Sequence, residues 1–399
     1  MMLPYRKDHV QGLWEELDQW RDRLDYKGPL PRAWVGRLRR DLEAEAVAAS
    51  TIMEGVPVTV DEVRRILAGD RTVEVRSEDR ELVEGYRGAM SFVLRRADDP
   101  SFAWNRELLI GLQDRVLAGK WSQGAGRFRT GTRLVVNNLT GAVAFTPPTS
   151  DDVPRLADEM CGQAQAMSDH EHPSLVSAWI HVATAAIHPF GDGNGRSARV
   201  LASLAMYRGG FKRAEFTSLE EWWGRHLGDY YGAFACLGSS FDPEAEVTPF
   251  IEAHLAAQLS QVRALDLREQ VEGRIWIVIE DLVESAGSDR RVANAAWDAF
   301  FGRDVTAGYY RSLTDVSPAT ATKDLSVAVA AGLLEAQGER RARRYTGGER
   351  LYREVGRALG VEIDLSNPHR AREAIIAVLG ERLAKGAVDT PGTVLEHVD

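Results

Sequence analysis

The chain has 399 residues, 44% of them apolar and 27% charged, which excludes disordered and fibrous classes and leaves room for two or three globular domains. A formal net charge of −10 works against bulk attraction to nucleic acid, so any DNA contact would need a local basic patch. Two cysteines, Cys161 and Cys236, exclude a disulfide framework; no apolar run is long enough to span a bilayer, and the opening MMLPYRKDHV lacks the apolar core of a signal peptide, which together predict a reduced, cytoplasmic protein without a membrane partner.

Helical periodicity dominates the chain. Leu13, Leu17, Trp20 and Leu24 recur at spacings of three and four and predict an amphipathic helix over 9–25. A second helix is expected over 31–50, and Thr59 with Glu62 makes a capping-box pattern that opens a third. Helices follow over 81–96 and 105–118. The pattern changes between Gly124 and Pro148, where two β-prone runs, Thr132 to Val136 and Ala142 to Phe145, flank Asn137-Asn138 and predict a hairpin. Helices resume at Asp151 and over 173–187, where the proline is acceptable in the first turn. A glycine-rich segment leads into another helix that stops near Gly209-Gly210; two more are expected around 222–237 and 249–262. A linker is expected at 285–288. Ser317-Pro318 starts a helix by hydroxyl capping and an N1 proline; two short segments, 333–336 and 343–346, complete the outline of a winged helix, and 367–399 reads as one helix and a frayed end.

The segment His188-Pro189-Phe190-Gly191-Asp192-Gly193-Asn194-Gly195-Arg196-Ser197-Ala198-Arg199 carries the chemistry. Glycines just before a helix can turn several backbone N–H groups toward one spot, and the helix N-terminus adds dipole and free donors for phosphate. Arg196 and Arg199 lie on one side of that helix and offer planar forks for phosphate oxygens. Asp192 suits Mg²⁺, which prefers carboxylate, phosphate and water. A neutral imidazole at His188 can accept a proton from an attacking hydroxyl. Base, metal ligand, anion cradle and arginine clamp describe phosphoryl or nucleotidyl transfer.

These residues resemble the Fic signature HPFx(D/E)GNGRxxR, with matches at His188, Pro189, Phe190, Asp192, Gly193, Asn194, Gly195, Arg196 and Arg199. The resemblance covers roughly residues 100–265 and implies a mainly α fold: a Fic-type helical core with one β-hairpin flap. It implies His188 as the general base, Asp192 as the Mg²⁺ ligand, Gly193, Asn194 and Gly195 as the anion cradle, Arg196 and Arg199 as the grip on the phosphate tail, and Phe190 as a core anchor. By the same resemblance the flap tip, Val135, Val136, Asn137 and Asn138, would lie over the nucleotide. Tyr230 and Tyr231 resemble a pair that contacts adenine, although a family asparagine seven residues on is replaced by Gly238. Core packing is the competing account of the two tyrosines. Ser50-Thr51-Ile52-Met53-Glu54-Gly55 matches the family's inhibitory pattern, with Ser50 and Glu54 one helical turn apart and Glu54 expected to pair with Arg199.

The implied activity is transfer of AMP from ATP, with Mg²⁺, to a Ser, Thr or Tyr hydroxyl of a target protein bound along the flap, or of the enzyme itself. Two alternatives stand beside it. A lysine in place of the second motif glycine marks phosphate transfer in some relatives, and Gly195 argues against that. A winged-helix DNA regulator using the core as a nucleotide sensor would not need His188; its recognition helix, Thr320 to Val329, offers one base, Lys323, opposed by Asp324, and its wing would carry Arg340, Arg341, Arg343 and Arg344. Protein contact is therefore preferred to DNA for this region. The expected domains are 1–100, the helical region with the inhibitory helix; 101–265, the catalytic core; 286–360, the winged-helix-like domain; and 361–399, the terminal helix and tail. Homo-oligomer formation is left open.

Overall fold

The computed structural model describes residues 2–26, 32–71, 73–136, 141–213, 219–339 and 343–361, with isolated positions from 374 to 381. The chain divides into two compact units, 1–67 with 73–263, and 68–72 with 264–399. Among the described residues no helix is long and apolar enough to cross a membrane.

Among the described residues the first unit is helical apart from one hairpin. Helices α1 (Gln11–Tyr26), α2 (Arg32–Ile52), α3 (Val60–Leu67), α4 (Ser77–Ala97) and α5 (Arg106–Val116) form its first half. Their apolar stripes meet in one core: Leu17 and Leu24 of α1, Val47 and Ala48 of α2, Val83 and Val93 of α4, and Leu109 and Leu112 of α5 are buried. The capping box forms at α3, where the Glu62 carboxylate accepts from Thr59 N (2.8 Å) and the Thr59 hydroxyl accepts from Glu62 N (3.2 Å). Asn105 caps α5 by accepting from Leu108 N at 2.8 Å.

The hairpin is short. Strand β1 (Val135–Val136) pairs antiparallel with β2 (Val143–Phe145) in the register Val135 with Phe145 and Val136 with Val143, with an irregularity between. Asn137 and Asn138 lie outside the described residues. Beyond β2, Thr146 is fastened to the 239–241 segment through Thr146 N to Ser239 O (2.9 Å) and Phe241 N to Thr146 O (2.9 Å). Helices α6 (Val153–His170), α7 (Pro173–Ile187) and α8 (Asn194–Arg208) follow. Almost every residue of α7 is buried, the pattern of a central helix, and α7 packs along α8.

After α8 come two short helices, α9 (Leu219–Arg225) and α10 (Leu227–Ala233), with a 3₁₀ turn at Phe234–Leu237, in place of the single helix expected around 222–237. The helix expected at 249–262 instead runs as α11 (Thr248–Ser285), because Val271, Ile275, Trp276, Ile279 and Val283 extend its apolar stripe. The division between the units falls inside α11, before the expected linker.

The second unit adds α12 (Ala293–Phe300), α13 (Ala307–Thr314), α14 (Pro318–Ala330), strands β3 (Leu334–Gln337) and β4 (Arg344–Gly347), and α15 (Glu349–Leu359). Ser317 caps α14 by accepting from Thr320 N at 3.1 Å. Strands β3 and β4 pair antiparallel from Leu334 with Gly347 to Gln337 with Arg344. Asp324 still feels the Lys323 charge but does not point to an outer face of α14. It turns inward, accepting from Arg291 Nε (2.7 Å) and Tyr310 Oη (2.9 Å), because successive helical residues point about 100° apart. Arg340, Arg341 and the segment 382–399 lie outside the described residues.

Candidate active site

Helix α7 ends at His188, whose backbone is left-handed (φ 51°, ψ 56°) and whose N–H still donates to Thr184 O at 3.0 Å. That turn reverses the chain into the motif loop and leaves the imidazole largely but not wholly covered. Burial pushes the His188 pKa down to about 4; a hydrogen bond to the Ala185 backbone opposes this, and the charges of Arg129 and Arg133 reinforce it. The imidazole is therefore neutral at ordinary pH, the form a general base requires.

The loop is closed by Asn194. Its Oδ1 accepts from Phe190 N and its Nδ2 donates to Phe190 O, both at 2.9 Å, while the Phe190 ring is fully buried. The Asn194 side chain is thus committed to holding the loop, and only its backbone N–H is available to an anion. Gly193 has φ 78°, a conformation that disfavours other residues. The Asp192 side chain is half exposed; its Oδ1 accepts from Gly193 N (2.5 Å) and from Arg196 Nη2 (3.2 Å).

An internal carboxylate occupies the space before α8. Glu54 Oε1 accepts from Arg199 Nη2 at 2.8 Å, and its other oxygen stands 3.8 Å from Arg196 Nε. A Cβ added at Gly195 would lie 2.6 Å from Glu54 Oε1, so the bare backbone of Gly195 is what lets the carboxylate sit there. Arg199 is further held by Ser50, through Nε to Oγ (2.9 Å) and Nη2 to the carbonyl (3.1 Å), and its Nη1 donates to Tyr230 Oη at 3.4 Å. Both arginines are buried, yet Arg196 Nη1 has no hydrogen-bond partner among the described residues. Ser50 belongs to the last turn of α2. Glu54 lies past the end of that helix, in a turn closed by Gly55 N to Ile52 O (2.8 Å), with Gly55 at φ 81°.

Residues 103–206 match the Fic/DOC family. A protein adenylyltransferase Fic from Nematostella vectensis is 27% identical over 219 residues, 52% of this chain and 48% of that protein. One from Culex quinquefasciatus is 27% identical over 203 residues, 50% of this chain and 39% of that protein. The chain carries a Fic domain. It spans less than half the length of these curated relatives. The crystal structure of a Fic family protein from Desulfovibrio desulfuricans G20 matches with a TM-score of 0.58 at 21% identity, covering 88% of this chain and 98% of its own, a likeness of fold.

Beyond the matched segment, the tyrosine pair is split. Tyr230 is buried, 3.1 Å from His181 Nε2 and bonded to Arg199, so it shapes the arginine's surroundings rather than an open face. Tyr231 is 57% exposed and donates to Met53 O at 3.3 Å, beside the Glu54 turn. Consecutive helical positions cannot face the same way. On the hairpin, Val136 and Val143 are exposed and Val135 is partly buried.

Two residues of the site carried no motif. Gln113 of α5 donates to Asp192 O at 3.1 Å and accepts from Gly126 N at 2.8 Å. A glutamine on an apolar stripe between Leu109, Leu112 and Val116 was the available signal. Arg129 donates to the carbonyl of His188 and had no signal beyond its charge. Among the described residues no group of three or more His, Cys, Asp or Glu side chains is placed to hold a metal ion.

Proposed function

We propose that this protein transfers AMP from ATP to a serine, threonine or tyrosine hydroxyl of a target protein, itself included, and releases pyrophosphate. The observation that carries this reading is the Glu54 carboxylate seated at the α8 N-terminus against Arg199 and within ion-pair distance of Arg196. An anion of the chain already fills a cradle suited to phosphate, with a neutral histidine on the same loop.

In the reaction the target hydroxyl loses its proton to the His188 imidazole while its oxygen forms a bond to the α-phosphorus. The bond from that phosphorus to the bridging oxygen breaks, and the electron pair leaves with pyrophosphate. Backbone N–H groups of Asn194 and Gly195, joined by that of Gly193 once it leaves Asp192 Oδ1, receive the phosphate oxygens. Arg199, once released by Glu54, and Arg196 hold the tail. One half-exposed carboxylate, Asp192, with phosphate oxygens and water is a donor set that suits Mg²⁺, which supplies charge neutralisation when bound. The exposed valines of the hairpin offer a strand edge to an extended target segment. Tyr231, rather than Tyr230, has the exposure to meet the base.

We further propose that Glu54 keeps the enzyme silent. Its pairing removes the arginine needed by the γ-phosphate and leaves negative charge where that phosphate must sit. The test is incubation of the Glu54→Gly variant with ATP labelled at the α- or the γ-phosphate. Label on protein from the α-position, with pyrophosphate released, is the expected result. Protein labelled only from the γ-position would replace this reading with phosphate transfer.

A further inference from the structure

Arg129 is 5% exposed, and no carboxylate among the described residues pairs with it. Its guanidinium is spent on main-chain carbonyls: Nε donates to His188 O (2.8 Å), Nη1 to Gly131 O (3.1 Å) and Nη2 to Pro148 O (2.5 Å). Its own N–H donates to Pro189 O at 3.0 Å. One residue therefore joins three segments: the chain entering the hairpin at Gly131, the chain leaving it at Pro148, and the backbone of the motif histidine with the proline after it.

This arrangement suits a helix end. The last carbonyls of α7 lack intrahelical partners and sit at the negative end of the helix dipole, where a cation is favoured. His188 has turned into the left-handed region, which aims its carbonyl away from the helix axis. A planar fork with five donors reaches several carbonyls at once; an ammonium on a flexible stem does not. Among the described residues the hairpin strands span two and three residues with a register irregularity, few ladder bonds with which to fix its direction. Its base supplies further anchors: the Thr146 bonds to the 239–241 segment on one foot, and Arg129 across both.

We propose that Arg129 is a positioning residue that locks both feet of the hairpin to the His188 backbone, so that an extended target segment on the hairpin is presented at a fixed distance from the base. The kinetic part rests on the AMP-transfer reading; the mechanical part does not.

The test compares Arg129→Met and Arg129→Lys with the parent, all carrying Glu54→Gly. Hydrogen exchange is followed in peptides covering 131–136, 143–148 and 188–191, ATP affinity is measured directly, and AMP transfer is followed under saturating ATP. In Arg129→Met exchange rises in all three peptides. Transfer falls by roughly 10²-fold, the cost of misplacing reacting groups by about 1 Å, while ATP affinity stays within about twofold, because the phosphate contacts are elsewhere. Arg129→Lys falls between, keeping the charge and losing the fork; it also serves if the methionine variant does not fold. Unchanged exchange in the hairpin peptides, or a loss of ATP affinity matching the loss of transfer, overturns the proposal. If the Glu54→Gly parent transfers no AMP, the functional reading fails and the exchange measurement alone decides the clamp.

Discussion

Two buried arginines in the Fic domain are held in opposite ways. Arg199 is gripped by the end of α2 and the turn after it, through the Ser50 hydroxyl and carbonyl and the Glu54 carboxylate. Arg129 is gripped by three carbonyls at the hairpin base and the motif loop. A carboxylate partner is an anion and can be displaced by another anion; a set of carbonyls offers an incoming phosphate nothing to replace. On the proposed function, the difference in partners would separate a releasable contact from a permanent one. The two arginines are equally buried, Arg199 at 4% and Arg129 at 5%, and the difference lies in the partner: the Glu54 side chain is 23% exposed.

The largest effect is expected at His188, whose carbonyl Arg129 holds. His188→Ala should reduce AMP transfer by about 10²–10⁴-fold, the usual worth of a positioned base, while ATP binding survives. The pH profile of kcat/KM should carry a matching signature. With its pKa pushed down to about 4 by burial, His188 stays in its basic form until pH falls through that value, so activity should hold down to about pH 4 instead of failing near the ordinary histidine value of 6.5. An acid limb near 6.5 that vanishes in His188→Ala would show an imidazole that is solvated during turnover.

Next in size is release of the carboxylate contact. Glu54→Gly should raise self-labelling and target labelling by roughly 10²-fold, since a displaced phosphate tail puts the α-phosphorus out of line. Glu54→Gln should give a smaller gain, because the amide keeps a hydrogen bond to Arg199 but loses the charge that repels phosphate. Label incorporation at matched protein and ATP concentrations measures both. Equal activity in Glu54→Gly and the parent would remove the regulatory role and leave the contact as structure.

The sequence exposed what repeats or alternates and concealed what does not. Apolar spacing found α1, and the Thr59 and Glu62 pair marked the start of α3. The motif's residues converge because a left-handed turn and an Asn194 staple bring helix end and helix start together within a few residues. Arg129 is invisible as a site residue because its partners are main-chain carbonyls, which any sequence supplies, whereas Gln113, bonded to main-chain groups at Asp192 and Gly126, shows only as a polar residue on an apolar stripe. The side of a helix on which one residue of a pair lies was also hidden: Tyr230 went inward and Tyr231 outward, and Asp324 left Lys323's face for Arg291. The continuous α11 escaped because its stripe continues past the point where the first unit ends.

The smallest activity change is expected at Ser50, and it decides how far the releasable contact extends. The Ser50 hydroxyl accepts from Arg199 Nε, and Ser50 is fully buried on a helix whose Val47 and Ala48 belong to the core. Withdrawing that turn would expose core side chains, about 1.5–3 kcal/mol for a valine such as Val47, more than a displaced ion pair returns. The Glu54 side chain, beyond the helix and followed by a glycine at φ 81°, can swing away alone. On this reading Ser50 is expected to hold Arg199 with nucleotide present and absent alike. Ser50→Ala should lower Tm, since a buried cation loses a partner at a cost of about 1.5–3 kcal/mol. It should leave AMP transfer within a few-fold of the parent in both the wild-type and Glu54→Gly backgrounds. Thermal unfolding and label incorporation on the same preparations test this. Activation by Ser50→Ala as large as that by Glu54→Gly would mean that the end of α2 departs as a unit, and the division between a fixed helix and a mobile carboxylate would have to be redrawn.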